Sequence, residues 1–190
     1  MALKLITAAS ALAVSVAEAK LQANIDTAEK DARITAYILS AAIMAEQALG
    51  GRAIMPQTWE LTLDAFPPAL ELTRTPLSSV TSVKYNDTAG VLQTMASNLY
   101  TLDSADDYGS AYLVPAYGTS WPGTRDQVNA VAVRYVAGYA DAASVPEAIK
   151  LWIVATVATM FDNPASEDSK PTYKPSYIDR LLDGYKAYRL

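Results

Sequence analysis

Apolar side chains recur at helical spacing through much of the first fifty residues. Ile34, Ile38, Ala41, Ala45 and Leu49 form one stripe, and Tyr37, Met44 and Ala48 widen it. A helix with that pattern is expected to be covered on much of its circumference. It should start at Asp26 or Thr27, where Glu29 and Asp31 favour its positive end, and stop at Gly50-Gly51. Upstream, residues 1–20 have the outline of a secretory signal: Lys4, an Ala/Leu/Val stretch, and Ala17-Glu18-Ala19 as a small-x-small site. The same residues also read as a helix start. Ser15 and Glu18 have capping-box spacing, and Ala17, Leu21 and Ile25 follow at helical intervals. Thr7, Ser10 and Ser15 interrupt the apolar stretch, which favours the helix.

The period then changes to alternation. Trp59, Leu61 and Leu63 alternate with Thr58, Glu60 and Thr62, as on a strand. Phe66-Pro67-Pro68 breaks it. Leu70 and Leu72 suggest a short strand, and Val80 to Tyr85 another, with Asn86 to Gly90 as a hairpin turn. Val91 to Thr94 and Leu99 to Leu102 are return strands. Residues 103–127, rich in Asp, Gly, Ser, Tyr and Pro, predict a long exposed loop around a short strand near Tyr112. Val128 to Val136 is the strongest strand, with Val131, Val133 and Tyr135 on one face.

Helical spacing returns at Ser144-Val145-Pro146-Glu147, a capping box with proline in the first turn. Ile149 to Phe161 is apolar nearly all round and, at about three turns, too short to cross a membrane. Such a helix is buried within the fold or between subunits. After a polar loop, Ile178, Leu181, Leu182, Tyr185 and Tyr188 share one face of a last helix. These elements predict an α+β fold, mainly helical. N-terminal helices (1–52) and C-terminal helices (141–190) would form one compact unit, with a β-rich insertion (53–140) between them.

Composition narrows the chemistry. The 190 residues suit one domain, which buries roughly 70% of its unfolded surface without a disulfide or metal. Cys and His are both absent. That removes thiolate nucleophiles, Ser-His-Asp triads and Cys- or His-ligated metals. Asp103, Asp106 and Asp107 do not have the spacing of a calcium loop and read as a solvated acidic segment. Gly118-Thr119-Ser120 lacks the second glycine of a nucleophile elbow, and Glu60 and Glu71 read as solvent-facing strand positions rather than a hydrolytic pair. No catalytic, cofactor or metal site is expected, and the chain does not read as an enzyme. The net charge of −5 and the lack of any Lys/Arg run argue against a dedicated nucleic-acid binder. The 12 Tyr against 2 Phe suit surfaces that are wet in one subunit and covered in an assembly.

Short phrases, in order, resemble the head–tail connector (adaptor) proteins of long-tailed bacteriophages. Residues 14–20 (VSVAEAK) are similar to that family's "V-S-L-A-E-A-K" helix. Gly51-Arg52-Ala53 with Gln57-Thr58-Trp59 resembles its "G-R-x…Q-T-W" junction. Residues 74–85 (RTPLSSVTSVKY) resemble its "R-x-P-x-x-S-V-x-S-V-x-Y" ribbon, with Asp87 and Gly90 in the turn. Tyr100, Trp121-Pro122, Ala137-Gly138-Tyr139 and Val145-Pro146 follow, and Leu181 to Tyr185 match more loosely. The resemblance spans residues 14 to 161; the first dozen residues and the 103–127 loop depart from it.

The resemblance implies a virion structural protein, made in the host cytoplasm, that forms a ring of about twelve copies. The ring would lie below the portal protein, above a tail-side neck or stopper protein, and pass DNA without sequence-specific contact. It implies no cofactor and no membrane. The candidate interface is Ile149, Trp152, Ile153, Val157 and Phe161 on the apolar helix, with Trp121, Tyr185, Tyr188 and Arg189. The competing reading, which takes the N-terminus as a signal and the tyrosines as a sugar platform, is a secreted or periplasmic carbohydrate-binding or glycosidase-like β domain.

Overall fold

Ala2–Thr7 (β1) is extended and pairs antiparallel with Gln57–Leu63 (β2), placing Leu3 opposite Leu61 and Leu5 opposite Trp59. The chain is known from a computed structural model that describes residues 1–104, 111–162 and 177–186. After β1 come two helices, Val16–Gln22 (α1) and Asp31–Ala48 (α2), the second entered through a 3-10 turn at Ala28–Lys30. Ser15 and Glu18 form the capping box that starts α1: the Ser15 hydroxyl accepts from the Glu18 N–H, and the Glu18 carboxylate accepts from the Ser15 N–H. Cleavage after Ala19 would therefore remove a strand of the sheet and the cap of α1. The face predicted for α1 is wrong, since Ala19 is its buried residue and Leu21 is 81% exposed.

Five further strands follow β2 before the sheet is complete: Leu70–Leu72 (β3), Leu77–Asn86 (β4), Leu92–Thr94 (β5), Tyr100–Asp103 (β6) and Ala111–Pro115 (β7). Val131–Ala137 (β8) then runs up the middle of a five-stranded antiparallel sheet of order β1-β2-β8-β4-β5. Its two-residue period is complete: Val131, Val133, Tyr135 and Ala137 are all fully buried. Strands β3, β7 and β6 form a second, three-stranded antiparallel sheet. Leu61, Leu70, Leu72, Val83, Leu113 and the inward face of β8 make the core of this half. Burial there pushes the Tyr135 phenol up to about 12.

Helices Glu147–Asp162 (α3) and Tyr177–Arg180 (α4) close the other half. The predicted stripe of α2 holds: Ile34, Ile38, Ala41, Ala45 and Leu49 are each fully buried, against Ile149, Ile153 and Val157 of α3. Burying each Ile or Leu contributes roughly 1.5–3 kcal/mol. Lys20 at the end of α1 bonds Asp31 at the start of α2 at 2.9 Å, joining the two helices.

The expectation of a mainly helical fold is overturned. Among the described residues, eight strands in two antiparallel sheets make this a sheet-rich α+β fold, with helices packed as a second core. Three local differences produce the change. Residues 2–7 are a strand and not part of a helix; β4 is ten residues long and not six; and the last helix breaks after Arg180, giving way to a 3-10 turn at Asp183–Tyr185. Helix α3 also begins later than the capping box predicted. The Ser144 hydroxyl donates to Asp141 at 2.7 Å, and Pro146 supplies the first helical carbonyl, accepting from Ile149 and Lys150.

Candidate functional site

The helical half and the sheet meet at a joint built by the end of α2. Gly50 and Gly51 take φ of +75 and +90, and the Gly51 N–H reaches back to the Glu46 carbonyl while the Gly50 N–H reaches Gln47. This is the two-bond glycine cap that turns a helix end sharply. The chain then passes as a short bridge between two strand ends: Ala53 N–H donates to Thr75 O, and Ile54 O accepts from Tyr139 N–H. Gly138 lets the bridge come this close. It has φ +119, and a Cβ on it would lie 2.3 Å from the Met55 carbonyl oxygen.

Three charged side chains lock the joint. Glu46 turns inward from α2, and its Oε1 accepts from the Ile54 N–H at 2.9 Å and from Gln57 Nε2. Burial pushes the Glu46 carboxyl above its ordinary range, opposed by the Ile54 bond, by Arg74 and by Gln57. The Arg74 guanidinium lies over the Trp59 ring, 4.5 Å from its centroid, and donates to Gly51 O at 2.6 Å. Arg52, almost wholly buried, sits over the Tyr139 ring.

Above this joint lies an apolar groove of about 640 Å³, between β1, the segment after it, and the outer face of α2. Leu5, Leu12, Leu39, Ile43, Met55 and Trp59 are among its walls. Ile43 is 57% exposed, Leu5 41% and Leu39 37%. The expectation that α2 is covered on much of its circumference therefore fails on this side. Leu39 and Ile43, spaced i and i+4, form a second apolar stripe that the first one concealed. No group of three or more acidic, His or Cys side chains among the described residues could hold a metal.

A second exposed apolar feature caps the β4–β5 hairpin, where Val91 is 55% and Leu92 63% exposed. Asp87 holds this tip rigid. Its Oδ1 accepts from the N–H groups of Ala89 and Val91 at 3.0 and 2.9 Å, and its Oδ2 from Gln93. These bonds, that to Gln93 first, hold the Asp87 carboxyl below its ordinary range.

The residues singled out from the sequence are placed elsewhere. Ile149 and Ile153 are fully buried, Val157 and Trp152 nearly so, all inside the chain's own helical core. Of the two alternatives for that helix, burial within the fold is the one realised. Phe161 and Tyr185 pack partly buried against the same core, Phe161 with Lys30 over its ring. Trp121 stacks on Phe66 with centroids 4.7 Å apart and planes at 7°, its Nε1 donating to Pro68 O at 3.4 Å. Tyr188, Arg189, Asp106 and Asp107 lie outside the described residues. Glu60 accepts two bonds from Arg134, and Glu71 lies in the other sheet. Thr119 closes a turn by donating to Ala116 O.

No protein-family model matches the chain, and no curated protein matches it by sequence. Solved structures do match. A chain of the virion of a native gene transfer agent particle superposes with a TM-score of 0.78 at 21% identity, covering 100% of this chain and 97% of that one. Chains from the neck of the empty particle, computed with C6 symmetry, and of the native particle, computed with C12 symmetry, give TM-scores of 0.80 and 0.73 at the same identity and coverage. At this identity the likeness establishes a shared fold over the whole length.

Proposed function

We propose that this chain is a structural subunit of the neck of a tailed, phage-like particle. About twelve copies form a ring that sits below the portal protein and carries the DNA channel towards the tail. The observation that carries this reading is the end-to-end match of fold to neck chains, with 97% of the neck chain accounted for. The C6 and C12 symmetry of those necks supports a ring of copies. The ordered phrases that resemble phage connectors add to it, and so does the joint. Gly51, Arg52, Gln57, Trp59, Arg74 and Gly138, which carry much of that resemblance, fall together at one place.

In this role the chain binds and holds; it performs no reaction. Its partners are further copies of itself, the portal, and a stopper protein on the tail side. The net charge of −5 on each copy gives a ring of about −60, a field that keeps passing DNA from adhering. The test is the sedimentation mass of the purified chain, alone and mixed with a portal ring. A ring, or stoichiometric attachment to the portal, is expected. A monomer indifferent to the portal would overturn the reading.

A further inference from the structure

We infer that neighbouring copies join head to tail, the Val91–Leu92 tip of one β4–β5 hairpin seating in the groove beside Leu39 and Ile43 of the next. The inference rests on the ring reading and assigns it a contact. A closed ring of identical subunits needs a heterologous interface, in which two different patches of one chain complement each other. The two patches described above have the required character. One is a rigid apolar projection, with Val91 and Leu92 more than half exposed on a turn fixed by three bonds to Asp87. The other is an apolar concavity of about 640 Å³ walled by exposed Leu5, Leu39 and Ile43.

Their positions prevent them from meeting within one chain. Strands β1 and β5 are the two edges of the five-stranded sheet. Four strand spacings separate these edges by about 19 Å. The patches also lie at opposite ends of the strands. Tyr85, just before the hairpin tip, is level with Val131 and Leu63, whereas the groove opens near Gln57, level with Ala137. That adds about 20 Å along the strand direction. A projection at one corner and a concavity at the diagonal corner are satisfied only by a second and third copy, and the relation repeats around a ring. Two aliphatic side chains in a pocket act as the anchor of such a contact, with the flanking surfaces completing its area.

The absence of Cys from this chain gives a clean test, because the introduced thiols are the only ones it carries; a portal ring, where used, is first blocked with N-ethylmaleimide. Ile43→Cys, Leu92→Cys and the double variant are assembled with and without a portal ring, treated with a short bismaleimide, and run on a denaturing gel. The double variant should give a ladder climbing to the ring's copy number, and each single variant only monomer. Rings that form by mass yet yield no ladder from the double variant would overturn the contact and leave the ring standing. Dimers from a single variant would overturn it too, by showing like meeting like. If no ring forms under either condition, the ring reading falls and the contact with it.

Discussion

Gly138 and Glu46 show what single residues do at the joint between helices and sheet. A methyl group on Gly138 would meet the Met55 carbonyl at 2.3 Å, on a backbone at φ +119 that side chains resist. Gly138→Ala should therefore lower stability by about 2–4 kcal/mol. An unfolding midpoint in urea equal to that of the parent would contradict this. Glu46 has a raised folded pKa, set first by burial. The folded state then holds its proton at pH values where the unfolded chain has released it, so this group's contribution falls as pH rises through that window. Glu46→Gln keeps an acceptor for Ile54 and Gln57 and removes the titration. Relative to the parent, the variant should gain stability as pH rises from about 4 towards 7; parallel urea-stability profiles would refute the assignment. Part of this was legible beforehand. Gly50-Gly51 and the Ser15–Glu18 box are local chemistry and read directly from the sequence. The Glu46 bonds reach eight and eleven residues on, across the Gly50-Gly51 turn, and the Gly138 contact joins residues far apart in the chain; neither has a local sequence pattern that announces it.

Helix α3 illustrates the next scale. Its all-round apolar sequence permitted two burials, in the fold or between copies, and its packing against α2 realises the first. Ile153→Asp places an unpaired charge in that core, costing on the order of 4–5 kcal/mol, comparable with a small domain's whole stability. The variant should lose its cooperative unfolding transition as a monomer, before any question of assembly. Retention of a parental transition with assembly alone lost would show that Ile153 faces a neighbour. Elements with strong local periods were foreseen, including α2, β8 and the β4–β5 hairpin. Strand β1 was not. Residues 2–7 are too short a run to separate strand from helix by period, and their pairing with β2 is decided more than fifty residues later. Residues 2–7, the extra length of β4 and the break after Arg180 together turned an expected helical fold into a sheet-rich one. The groove went unseen for a related reason, since Leu39 and Ile43 lie beside a stronger stripe that accounted for the helix by itself.

At the scale of the molecule, two cores meet at one joint, and two of the exposed apolar patches, the Val91–Leu92 tip and the groove beside Leu39 and Ile43, lie at opposite corners of the five-stranded sheet. That placement is what the proposed ring contact uses. Neck chains of gene transfer agent particles share this fold from end to end, which supports the proposed place of the chain in a particle neck. The resemblance in the sequence pointed to that role, while the surfaces proposed to serve it appear only with the fold, because the most apolar helix packs into the interior. The measurement that tests the proposed neck role most directly is tail joining in phage-like particles assembled with and without this chain. Heads and tails made without it should accumulate separately, and adding the purified chain to the two should produce joined particles, counted by electron microscopy. Joined particles forming in its absence would contradict the account.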